Sequence, residues 1–268
     1  MKRLFKLLPL AVLALAVSCD LLQSSTSPDT PGTTSPSDGD ATLERIDDSH
    51  VKVGSIDYWI EGELSLDEDG EPAFTERAYE KVSFSAFPNT AAEISVLQKE
   101  FLGKRYGGVV AMHIMAIEMY RRNRDEGTAA LRLVNESSNM TAMLDIFSQR
   151  FPLQRGAQST DTYQQPYFVA ALLDGSTIEN HYTPTEPYSV TVKWYGGENN
   201  HTEGLGITTW GDFYEVTVSP GGYAKAASPE RRLTVHSDPE GNPYLTIFNC
   251  SSITTQVATI RSWTDNLK

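Results

Sequence analysis

The residues of this chain most able to do chemistry are scattered rather than grouped. Its five histidines are His50, His113, His181, His201 and His236. His181 and His201 stand in segments rich in carboxylates and amides, close in sequence to Glu179, Glu198 and Glu203. These are metal-ligand residue types, but their spacing matches no established ligand pattern. Glu61 and Glu63 could in principle act as the carboxylate pair of a glycosidase. In a chain with 35 acidic residues such pairs also arise by chance. Counting Ser65 as position one, Asp67, Asp69, Gly70 and Glu76 fall at positions three, five, six and twelve of an EF-hand loop. A serine in the first position, Pro72 inside the loop and a strand-like approach favour a plain hairpin turn instead. The chain contains no Gly-x-Ser-x-Gly elbow, no His-Glu-x-x-His helix, no phosphate-binding glycine loop and no Cys-x-x-Cys. No metal and no cofactor are expected.

The two cysteines have different prospects. Cys250 alternates in phase with Thr246 and Phe248, as an inert sheet residue would, without the nearby base or positive charge that activates a thiol. Cys19 ends a leader. Lys2, Arg3 and Lys6 precede the apolar run Leu7 to Val17, which is too short to span a bilayer stably. Ala16-Val-Ser-Cys19 then resembles a lipobox, the processing site of bacterial lipoproteins, although leucine is commoner in its first position. That resemblance implies a signal peptide over 1–18 and a lipid (palmitate among its acyl chains) on Cys19, which would anchor the chain to a membrane. The expected location is the bacterial cell envelope, extracytoplasmic, with the membrane and leaflet left open.

Residues 19–41 are Ser, Thr, Pro, Gly and Asp with little to bury, and they predict a flexible tether. Residues 42–268 are then enough for one sizeable α+β domain. The chain carries 22 basic and 35 acidic residues. Three of the bases and none of the acids lie in the leader, so the processed chain has 19 against 35, a net −16. So acidic a protein is a poor partner for nucleic acid.

The elements that must position these residues come in three blocks. Val51 to Phe87 reads as short strands, with Ile56, Tyr58 and Ile60 alternating, and then Val82 and Phe84. Thr90 and Glu93 form a capping box that opens a helix with Ile94, Leu97 and Phe101 on one face and Gly103 at its end. Gly107 to Arg122 is apolar around nearly its whole circumference, so this helix belongs at the centre of the domain. His113 there predicts a neutral, hydrogen-bonded core histidine. A further helix is expected from Gly127 through Leu131 and Val134, and another along the stripe Met140, Met143, Leu144, Phe147 and Phe151. The methionines suit core filling or an adaptable groove. Tyr167 to Leu173 is apolar throughout, and periodicity leaves helix or buried strand open. The third block alternates as strands over 188–195, 213–218, 231–236 and 244–250, with long loops over 194–206 and 220–229. His236 shares a strand face with Thr234 and Arg232 and predicts a solvated position. The expected fold is α+β: N-terminal short strands, a helical segment, then a mostly antiparallel sheet.

Between helices and strands lies Asp174 to Tyr188, a stretch of turn chemistry with one glycine and two prolines. Its part Thr177-Ile-Glu-Asn-His-Tyr-Thr-Pro-Thr-Glu-Pro-Tyr188 resembles Thr-Pro-Glu-Asn-x-Tyr-Thr-Pro followed by Pro-Tyr and a strand, a pattern of an uncharacterised bacterial domain family. Ser228-Pro-Glu-Arg-Arg-Leu-Thr-Val235, after Gly221 and Gly222, resembles a second element of that pattern. Ile178 and Glu230 depart from it. The resemblance covers about 84–260 and implies an exported or lipid-anchored protein, with no catalytic residue to carry over. The resulting expectation is a cell-envelope domain that binds a protein, peptide or glycan, with Asn180, His181, Tyr182, Trp210 and Tyr223 as contact residues. The alternative is an extracytoplasmic hydrolase using paired carboxylates.

Overall fold

Pairing strands rather than separate halves organise the domain. The computed structural model describes residues 41–75, 78–151, 166–196, 201–203, 211–218, 231–238, 240–250 and 263–268, with single positions at 253, 257 and 260; the side chains of residues 201 and 203 are not described. Its strands are β1 (Leu43–Arg45), β2 (His50–Val53), β3 (Ile56–Glu63), β4 (Tyr79–Phe84), β5 (Tyr188–Trp194), β6 (His201–Glu203), β7 (Asp212–Val218), β8 (Arg231–Asp238) and β9 (Asn242–Asn249). They form one antiparallel sheet in the order β1-β2-β3-β4-β5-β7-β8-β9, with β6 paired to the first half of β7. The helices are α1 (Ala91–Leu97), α2 (Tyr106–Arg122), α3 (Arg124–Val134) and α4 (Met140–Arg150). The fold is α+β.

β4 and β5 are direct neighbours, from Tyr79 opposite Lys193 to Phe84 opposite Tyr188. The helices are therefore an excursion between two paired strands, and the turn-rich stretch at 174–188 returns the chain to the sheet it left. The alternation of β3, β4 and β5 turns Tyr58, Ile60, Val82, Phe84, Val190 and Val192 to one buried face. On that face lies α2, in contact with β4, β5, β8 and β9. Residues 107–120 of α2 are all buried, as an all-round apolar helix requires.

Thr90 and Glu93 close the expected capping box, with Thr90 Oγ1 accepting from Glu93 N–H and Glu93 Oε2 accepting from Thr90 N–H. The helix then widens into a π-helical turn, Gln98–Leu102. Its extra residue moves Leu102 rather than Phe101 onto the fully buried side. α3 starts three residues before the expected Gly127. Asn123 caps it by accepting from Asp125 N–H and Glu126 N–H, and Gly127 has a different duty. A Cβ at Gly127 would lie 2.1 Å from the Tyr120 backbone, so glycine is what lets α3 approach α2. Tyr167 to Leu173 is neither long helix nor strand but a buried turn ending in a short 3₁₀ segment, Ala170–Leu172.

β9 is an edge strand whose outer backbone is covered. Leu245 N–H donates to Gly103 O, Glu136 N–H donates to Ile247 O, and Asn139 Nδ2 donates to Phe248 O. An edge so occupied is closed to pairing with another chain.

Candidate functional site

The loop at 174–188 is tied down by side chains that its composition offered as contact groups. Asn180 Oδ1 accepts from Thr177 N–H at 2.8 Å and Thr183 N–H at 3.1 Å. Its Nδ2 donates to Gly175 O at 2.7 Å and Thr183 O at 3.0 Å. Those four bonds use the whole capacity of the amide, so Asn180 faces its own loop rather than a partner. Tyr182, expected as a contact residue, is instead fully buried, its ring stacked on Tyr167 at 5.0 Å. Asp174 anchors the loop to the sheet: its Oδ2 accepts from the hydroxyls of Ser189 and Thr191, both at 2.8 Å.

His181 and Tyr182 have φ values of 56° and 55°, the left-handed region, which costs a non-glycine residue about 1–3 kcal/mol at each position. The Asn180 bonds on one side and the Tyr182 stack on the other hold that conformation. The exposed remainder is His181. With Glu179, Asn180, Thr183, Thr264 and Asn266 it surrounds a polar cavity of about 390 Å³. Residues 263–268 supply the far wall and are themselves clamped. Arg121 Nη1 lies 2.8 Å from Asp265 Oδ2, and Tyr188 OH accepts from Lys268 N–H at 3.1 Å. Trp210 and Tyr223 lie outside the described residues. Among the nearby aromatic residues, Tyr188 and Trp194 are buried, and Tyr195 sits 4.0 Å beneath the Arg232 guanidinium.

The carboxylates and histidines follow a similar rule. Asp67 Oδ1 accepts from Asp69 N–H and Glu71 N–H, so this carboxylate caps its own turn. Glu76 lies outside the described residues, as do residues 1–40 with Cys19. Glu61 and Glu63 are exposed at the end of β3. Among the described residues no three His, Cys, Asp or Glu side chains are grouped to hold a metal ion.

His236 is buried, against the expectation of a solvated face. Glu136 follows α3 along the outer edge of β9 and reaches round it. Its Oε1 lies 2.8 Å from His236 Nδ1 and accepts from the Thr246 hydroxyl, while Phe213 stacks on the imidazole at 4.8 Å. Strand alternation assigned the face of His236 correctly but carries no information about a cover 100 positions away.

Three buried titratable groups lie on or against α2. Glu80, on β4, accepts from Gly107 N–H at the start of the helix, with Arg105 at 3.6 Å; burial is the main influence and raises its pKa. A Cβ at Gly107 would lie 2.6 Å from that of Glu80, so a glycine is needed there. Glu118, 0% exposed, holds Arg121 by two bonds of 2.9 and 2.6 Å and Arg122 by one of 2.7 Å. His113 is fully buried, and burial pushes its pKa down to about 3. It is neutral, as expected, and the hydrogen-bonding group beside it is Asn135, which acts against the larger effect of burial.

These features define an α+β domain whose exposed polar loop is locked from within. Residues 86–261 match the family model described as a domain of unknown function (DUF6935), and the chain belongs to that family. No curated protein and no solved structure matches the chain. The matched region starts after β4, although β4 pairs with β5 inside it. Among the described residues no helix is long and apolar enough to cross a membrane.

Proposed function

We propose that this protein is a lipid-anchored, extracytoplasmic binding domain that takes a polar ligand, a glycan or an extended peptide, at the rim formed by Glu179, His181, Thr183, Thr264 and Asn266. The observation that carries this reading is the cost of the loop's shape. Two consecutive non-glycine residues held in the left-handed region, with Asn180 spent entirely on holding them, suit a preorganised recognition surface. The rim offers a carboxylate, an imidazole, two hydroxyls and an amide, a set that suits hydroxyl and peptide groups rather than apolar or anionic ligands. The membrane anchor rests on the sequence Ala16-Val-Ser-Cys19.

The test is a glycan and peptide array probed with the full-length protein in detergent, beside His181→Ala. Wild type should bind a defined subset, and the variant should lose about tenfold in affinity, or 1.4 kcal/mol, at an unchanged melting temperature. Equal binding by both would sink the rim as the site. In cells, labelled palmitate should enter wild type and not Cys19→Ala; label in both would remove the anchor.

A further inference from the structure

The polar rim has a sign as well as a shape. Three carboxylates stand on the loop at 174–188, those of Asp174, Glu179 and Glu186, and Asp265 stands on the facing segment 263–268. Three of these four are answered within the protein. Asp174 Oδ2 accepts from the hydroxyls of Ser189 and Thr191. Glu186 Oε2 lies 2.6 Å from Lys268 Nζ, and Asp265 Oδ2 lies 2.8 Å from Arg121 Nη1. Among the described residues the exposed Glu179 has no such partner, and it is the one of the four that lines the cavity.

The rest of the lining leaves that charge to decide. The hydroxyls of Thr183 and Thr264 and the amide of Asn266 can donate or accept, whereas an ionised carboxylate only accepts. Asn180 is spent on its own loop. Among the described residues no lysine or arginine lines the cavity, so nothing there repels a cation. The excess of acids over the whole chain, 35 against 22 bases, adds a field that draws one in. The described lining also holds no tyrosine, tryptophan or phenylalanine on which a sugar ring could stack, which favours a peptide over a glycan.

We propose that the ligand of the rim is an extended peptide with a basic side chain, whose charge is met by Glu179 while Thr183, Thr264 and Asn266 accept its remaining N–H groups. The proposal rests on the reading of the rim as a binding site. It adds the class of ligand and the residue that selects it.

The probes are a Gly-Lys-Gly peptide with blocked ends and the same peptide with its lysine acetylated, each titrated calorimetrically into the full-length protein in detergent. The charged peptide should bind about fivefold more tightly than the acetylated one, and the gap should close at ~0.5 M salt. Glu179→Gln, a change at an exposed position, should keep the melting temperature and bind both peptides alike. Glu61→Gln, exposed on β3, should keep the preference; loss of the preference there too would mean a diffuse field rather than a site, and would overturn the proposal. So would a preference that survives Glu179→Gln, or no binding of either peptide. If wild type binds the two alike and His181→Ala weakens both, the rim stands and the basic ligand falls. If neither His181→Ala nor Glu179→Gln changes binding, the rim itself falls. Binding of a glucosamine dimer, with no binding of either peptide, would give the site to an amino sugar and overturn the peptide.

Discussion

The two ends of α2 hold the same residue type at the same burial and treat it differently. Glu80 is 1% exposed at the first turn and Glu118 is 0% exposed at the last. At the N-terminal end the helix dipole, the Gly107 N–H and one partly exposed arginine at 3.6 Å favour a carboxylate, but burial outweighs them and raises the Glu80 pKa. At the C-terminal end the dipole opposes negative charge, and Glu118 is surrounded instead by two close arginines. Those arginines also reach the chain terminus: Arg121 meets Asp265, and Arg122 Nη2 donates to Leu267 O at 3.1 Å. A buried carboxylate can thus be supported by backbone or by counter-charge. Only the second arrangement links it to a distant segment. The middle of the helix, at His113, supports no charge at all.

The comparison breaks first at Glu118. Glu118→Ala should destabilise the domain by about 3–5 kcal/mol, because it leaves two partly buried guanidiniums short of their counter-charge and loosens the terminal segment. Denaturant unfolding measures it, and a loss below about 1 kcal/mol would mean that solvent, not Glu118, balances the arginines.

His113 sharpens the contrast between the ends and the middle. Its folded pKa of about 3 lies below the ordinary 6.5, so the stability it contributes is complete above pH 6.5 and is lost as pH falls. Between pH 6.5 and pH 5 that loss is about 2 kcal/mol, at ~1.4 kcal/mol per unit. His113→Leu should lack this portion of the acid sensitivity. Identical unfolding profiles at both pH values would place the imidazole in contact with water.

The smallest effect belongs to Glu80→Gln, which keeps an acceptor for Gly107 N–H and should change stability by less than about 1 kcal/mol at pH 7. Because the folded pKa of Glu80 is raised, chiefly by burial, its contribution is fully present below the unfolded value near 4.5 and is lost as pH rises through the folded one. Wild type should therefore gain on the variant as pH falls. A gain of the variant on acidification would reverse the comparison.

Much of this was legible locally. The capping box at Thr90 and Glu93, the burial of α2, the alternation of β5 and β7 to β9, and the turn at Asp67 are each written within a few residues. There, periodicity and side-chain reach act before any tertiary contact. Membership of an uncharacterised domain family was legible too. What the fold alone decided depends on partners distant in the chain. Asn180 and Tyr182 have the chemistry of contact residues, and only the return of the loop onto Tyr167 turned Tyr182 inward. His236 has the alternation of an exposed residue, and Glu136, arriving round the edge of β9, covers it together with Phe213. Glu80 sits in an ordinary strand pattern, and only the pairing of β4 with β5 set it beneath the first turn of α2. Sequence pattern states which face a side chain takes. What lies against that face is a long-range fact, settled when the strands pair.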